Sequence, residues 1–80
     1  MQVQDIQALL EGKLENCEIN VQGNGNHFDI TVVGEMFDGL RAVKKQQLIY
    51  ALLKDEIASG AIHAVNMKLF TPQEWAQQTS

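Results

Sequence analysis

Three side chains in this 80-residue chain are of the kinds that ligate a transition metal or an iron–sulfur cluster: Cys17, His27 and His63. They are the whole supply of thiol and imidazole ligands, because the chain has one cysteine and two histidines. A single cysteine excludes an intramolecular disulfide and fits a reducing cytoplasm, the expected location. Two imidazoles fill only half of a tetrahedral site. A metal or cluster held here would therefore need ligands from a partner. Whether the three side chains can act together depends on the elements that carry them.

His63 opens the most legible stretch, residues 62–75. His63, Val65, Met67 and Leu69 alternate with Ala64, Asn66 and Lys68, the period of a half-buried strand over 62–69. The strand runs straight into a helix start. Thr71-Pro72-Gln73-Glu74 has the form of a capping box, with Thr71 as N-cap, Pro72 at N1 and Glu74 at N3. Phe70 and Trp75 then occupy the N′ and N4 positions of a hydrophobic staple.

Upstream, Val3, Ile6, Leu9 and Leu10 have helical spacing, and Gly12 reads as the C′ residue of a first helix of about ten residues. Cys17, Ile19 and Val21 alternate with Glu18, Asn20 and Gln22 as a first strand. Gly23-Asn24-Gly25-Asn26 reads as a hairpin loop. Residues 27–33 form a second strand, with Phe28, Ile30 and Val32 on one face. Residues 34–39 form a loop with an Asp38-Gly39 turn. Leu40, Val43, Leu48, Ile49, Leu52, Leu53 and Ile57 then give one long helical stripe that ends at Gly60. The tail, 77–80, is polar and expected to fray.

The order is therefore α-β-β-α-β-α in a single α+β domain over 1–80. The second strand, the long helix and the third strand form a right-handed β-α-β unit with parallel strands. With the hairpin this makes a three-stranded mixed sheet, with helices on one face. The topology has a chemical consequence. His27 and His63 each begin a strand, and those strands are parallel neighbours about 4.8 Å apart. Both imidazoles then emerge at the same end of the sheet, where they can converge on one ion or cluster. Cys17 begins an antiparallel strand and falls at the opposite end, which makes it the weaker ligand candidate. Two histidines at strand ends also fit a plain rim position, so placement alone leaves ligation open.

Charge narrows the function classes. The net charge is −4, with a pI near 4.9, which disfavours non-specific nucleic-acid binding. The basic cluster is Arg41, Lys44 and Lys45, the candidate nucleic-acid contact. Lys44 and Lys45 lie near a helix N-terminus, where the helix dipole disfavours cations, so they read as a surface kept for contact or as a solvated face. The element order is similar to that of KH domains, yet no G-x-x-G backbone clamp occurs. Gly23-Asn24-Gly25 lacks the third glycine and the following helix of a dinucleotide fingerprint. No catalytic triad ordering or nucleophile elbow can be assembled, so no enzyme activity is expected. No apolar run approaches the roughly 18 residues of a membrane span.

The chain resembles the BolA family over nearly its full length. The resemblance rests on His27-Phe28, Phe37-Asp38-Gly39, Ile62-His63-Ala64-Val65 and Thr71-Pro72-Gln73-Glu74-Trp75, in that order and spacing. The segment 34–39 with Val43-Lys44-Lys45-Gln46-Gln47 is closest to a branch linked to acid stress. The resemblance implies a class II KH-like fold and a heterodimer with a monothiol CGFS glutaredoxin around a bridged [2Fe–2S] cluster. A glutaredoxin cysteine and glutathione would hold one side of that cluster. The family's histidine ligand corresponds to His63, and its second ligand best to His27. Alone, the chain is expected to be a monomer or weak dimer. Family members linked to DNA carry Arg-His-Arg where this chain has Lys44-Lys45-Gln46-Gln47, so the alternative, a KH-like DNA-binding regulator, draws less from the resemblance.

Overall fold

The computed structural model describes residues 2–24 and 27–79. Helix α1 (Val3–Lys13) buries Ile6 and Leu10. Strands β1 (Glu18–Asn24) and β2 (His27–Val33) pair antiparallel, with Val21 opposite Ile30 and Asn24 opposite His27. A 3-10 turn (Glu35–Phe37) leads to helices α2 (Ala42–Leu52) and α3 (Lys54–Ala58). Strand β3 (Ala64–Phe70) lies parallel to β2, and helix α4 (Pro72–Thr79) ends the chain. The sheet order is β1-β2-β3, the mixed three-stranded sheet expected from the element order. Phe28, Ile30 and Val32 of β2 pack on one face with Ile6, Leu10, Ile49, Leu53 and Phe37.

Several boundaries differ from expectation, each for a physical reason. Gly12 lies inside α1, whose C-cap is Leu14, because the Leu14 N–H still finds the Leu10 carbonyl at 2.8 Å. Gly23 and Asn24 extend β1, so the connection shortens to 25–26, which lie outside the described residues. The third strand starts at Ala64, since the Ile62 N–H is taken by the Glu56 carbonyl at 3.2 Å. The tail expected to fray is helical through Thr79, and Ser80 lies outside the described residues. The long helix breaks at Leu53 (φ −105°, ψ 12°), whose side chain is fully buried. The carbonyl of Leu52 is released by the break and accepts a 2.9 Å hydrogen bond from Lys13 Nζ.

The two outer edges of the sheet are treated differently. On β1, the Gln7 side chain of α1 behaves as a surrogate strand. Its Nε2 donates to the Ile19 carbonyl at 2.6 Å, and its Oε1 accepts from the Val21 N–H at 3.1 Å. Each such bond is worth about 1 kcal/mol, and losing both leaves two part-buried backbone groups unpaired. Gln7→Ala should therefore lower stability by about 1–2 kcal/mol in urea titrations. An unchanged midpoint would show that water replaces the amide at no cost.

Candidate functional site

His27 is the first residue of β2, and its register partner across the parallel ladder is Ala64. His63 immediately precedes Ala64. Both histidines thus lie at one end of the sheet, His27 opening β2 and His63 just before the neighbouring β3, and both are exposed. The approach to His63 is built by the turn after α3. Gly60 takes φ +83°, its N–H bonds the Ile57 carbonyl at 3.2 Å, and Ile62 is sunk into the core at 2% exposure. Burial of Ile62 fixes the chain just before His63 leaves it. An added Cβ at position 60 would make only an ordinary 3.9 Å contact with His63 Nε2, so it is the positive φ that favours glycine there. Neither imidazole hydrogen-bonds another described residue.

Cys17 sits at the other end, just before β1, whose first residue pairs with Val33. Its Sγ lies 3.5 Å from Met36 Sδ and 3.4 Å from the Glu15 carbonyl. Burial pushes the Cys17 thiol above its ordinary value, so it is a poor thiolate. Among the described residues, no group of three or more His, Cys, Asp or Glu side chains could hold a metal ion. The two exposed imidazoles therefore have no third such donor beside them among the described residues.

The basic cluster does not stay together. Arg41 caps α2 and is exposed, as is Lys44. Lys45 is a correction to the surface reading: it is 7% exposed, and its Nζ donates to Glu74 Oε1 at 2.7 Å. Lys45 is thereby spent inside the fold and unavailable to a phosphate. The same Glu74 oxygen accepts the Thr71 N–H at 2.8 Å, and Glu74 N–H donates to Thr71 Oγ1 at 3.2 Å, completing the expected capping box. The Phe70 and Trp75 rings meet with centroids 5.3 Å apart, the expected staple. One carboxylate thus caps α4 and ties it to α2, which offsets a cation near the α2 N-terminus. The pairing spans 29 positions, so no local pattern could reveal it.

The pH dependence of this tie has a defined sign. The Lys45 ammonium, then the Thr71 backbone N–H, hold the Glu74 carboxyl below its ordinary value of 4.5. A depressed carboxyl contributes stability above its unfolded pKa, and that contribution is lost as pH falls through the folded value. Glu74→Gln should then melt below wild type at pH 7 and converge with it in strong acid. A constant gap between the two melting curves at all pH values would refute the linkage.

Similarity to known proteins follows this geometry. A family model described as BolA-like protein matches residues 1–74. The chain is 47% identical over 77 residues to the acid stress protein IbaG of Escherichia coli K12, covering 96% of this chain and 92% of that protein. Among solved structures, a bolA homologue from Coxiella burnetii superposes with a TM-score of 0.83 at 30% identity, covering 95% of this chain and 97% of that one. The BolA domain of SufE1 from Arabidopsis thaliana gives 0.79 at 34% identity, covering 89% and 92%. The sheet order and these similarities converge: the chain belongs to the BolA family.

Proposed function

We propose that this chain is a non-catalytic iron–sulfur accessory protein that pairs with a monothiol CGFS glutaredoxin around a shared [2Fe–2S] cluster, with His63 and His27 as its ligands. The observation that carries the reading is the register of β2 and β3, which brings both exposed histidines to one end of the sheet. The donor set is compatible with it, because no third such ligand joins the two imidazoles among the described residues, and a cluster here would take its other ligands from outside the chain. When bound, the cluster supplies one-electron redox and iron–sulfur transfer chemistry, and imidazole ligation raises its potential relative to thiolate.

The chain's own contribution is placement. Ile62 burial and the Gly60 turn hold the backbone beside His63, and the β2 ladder holds His27. Each imidazole must be neutral to bind iron, so ligation weakens in acid. That chemistry gives a physical route to an acid-stress role, the role in the name of the Escherichia coli relative.

The test mixes the purified chain with a CGFS glutaredoxin, glutathione, ferrous iron and sulfide under anaerobic conditions. Visible absorption and circular dichroism then report the ligand set. His63→Ala is expected to abolish the heterodimer spectrum, and His27→Ala to shift it. A wild-type spectrum from His63→Ala would overturn the assignment.

A further inference from the structure

The uncovered edge of β3 differs from the Gln7-covered edge of β1. The Gly34 N–H donates to the Phe70 carbonyl at 3.0 Å, so Phe70 points its backbone toward β2. Backbone direction alternates along a strand. Ala64, Asn66 and Lys68 therefore also face β2, and Val65, Met67 and Leu69 turn their N–H and C=O groups outward. None of those outward groups is hydrogen-bonded to a described residue. The β1 edge obeys the same alternation, since the groups that Gln7 satisfies belong to Ile19 and Val21.

A trough of about 810 Å³ passes this open edge, where Val65, Met67 and Lys68 of β3, Tyr50 of α2 and Trp75 of α4 line it, and it spreads across Asp29 and Thr31 of β2 as far as β1. It continues past Met67, Lys68 and Gln46 into a smaller hollow of about 220 Å³ beside Leu69 and Phe70. Tyr50 is 44% exposed, an aromatic side chain left beside unpaired backbone. Exposed edges of this kind are normally blunted or covered, and are otherwise used to add a strand.

We propose that the β3 edge is a docking site for an extended peptide strand with alternating apolar and acidic side chains, a site separate from the histidine end. An added strand continues the alternation of its neighbour. Its side chains beside Val65, Met67 and Leu69 join residues already packed against the core, so apolar groups fit there. Its other side chains lie beside Asn66 and Lys68, which are exposed. Lys68 is a cation of the trough without an ion pair among the described residues, because Lys45 is taken by Glu74 and Asp29 is held by Asn66 Nδ2 at 3.0 Å. Charge complementarity therefore selects an acidic side chain opposite Lys68. Single-stranded nucleic acid is disfavoured by the loss of Lys45 to Glu74, and a second copy is separated from a peptide by the concentration dependence tested below.

The probe is a synthetic octapeptide of alternating valine and glutamate with blocked ends, titrated into the full chain and followed by amide NMR. In the free protein, the Val65, Met67 and Leu69 amides should exchange rapidly while those of Asn66, Lys68 and Val21 are protected. The peptide should perturb and protect those three amides, and backbone N-methylation of the peptide should abolish the effect. Lys68→Glu should weaken binding by about two- to five-fold, the size of an exposed ion pair, and favour a valine–lysine peptide instead. His63→Ala should leave binding unchanged, which separates this site from the cluster. The inference is overturned if the three amides are already protected in the monomer, or if the peptide leaves them unperturbed. It is also overturned if rising protein concentration alone protects them, or if oligothymidylate displaces the peptide from them.

Discussion

Phe37→Ala is expected to remove a large share of the stability of this domain. Phe37 lies in the 3-10 turn between β2 and α2 and is fully buried. Its backbone is held on both sides, with its N–H on the Gly34 carbonyl at 3.3 Å and its carbonyl receiving the Leu40 N–H at 3.0 Å. The turn therefore cannot slide inward to fill the space that the ring leaves. A Phe→Ala change in such a core costs about 3–5 kcal/mol, combining lost transfer energy and a cavity. An 80-residue domain has roughly 4–12 kcal/mol in total. The melting temperature should fall by more than about 10 °C, and the urea midpoint should drop with an unchanged slope. Phe37→Leu keeps most of the volume and should cost only about 1 kcal/mol. A loss below about 1 kcal/mol for the alanine variant would mean that the turn collapses onto the cavity after all.

Sequence legibility divides along the line between local and non-local physics. The boundaries of β2 follow from period two alone, and the capping box and staple at 70–75 follow from side chains within five positions of one another. The common end for His27 and His63 follows from the parallel strands expected of a β-α-β unit, and the register agrees. What escaped depends on distant partners. The break at Leu53 is invisible because Leu53 and Ile57 keep helical spacing and pack against the core on both sides of it. Its enabling contact is Lys13, 39 positions away. Lys45 reads as a surface cation until Glu74 is brought beside it. Gln7 reads as the polar face of an amphipathic helix, yet it closes a sheet edge. For the proposed site, the position of both histidines was legible, whereas ligation is not written in the spacing of two imidazoles.

The second large effect is expected at Gly23, where fold and site meet. Gly23 lies in β1 directly opposite Phe28, on the core side of the hairpin. A Cβ added there would sit 2.5 Å from the His27 carbonyl oxygen and 2.7 Å from the Phe28 ring. Phe28 is 2% exposed and packed, so its ring has nowhere to go. The carbonyl is backbone and can move only by shifting the start of β2. Overpacking of this kind costs about 1–3 kcal/mol. Gly23→Ala should therefore lower the melting temperature and displace His27 in the same step. Gly12→Ala is the matched control, since a Cβ at position 12 meets nothing within 4 Å and the residue sits within α1. Replacing a helical glycine by alanine gains up to about 1 kcal/mol, so that control should be neutral or stabilising. The two effects at Gly23 separate by readout: calorimetry reports the overpacking, and the heterodimer spectrum at a temperature where the variant is folded reports the displacement of His27. A folded Gly23→Ala chain with a wild-type melting temperature would show that the hairpin absorbs the methyl group without moving β2. A wild-type cluster spectrum from a destabilised but folded variant would instead remove His27 from the ligand set and leave His63 as the chain's ligand.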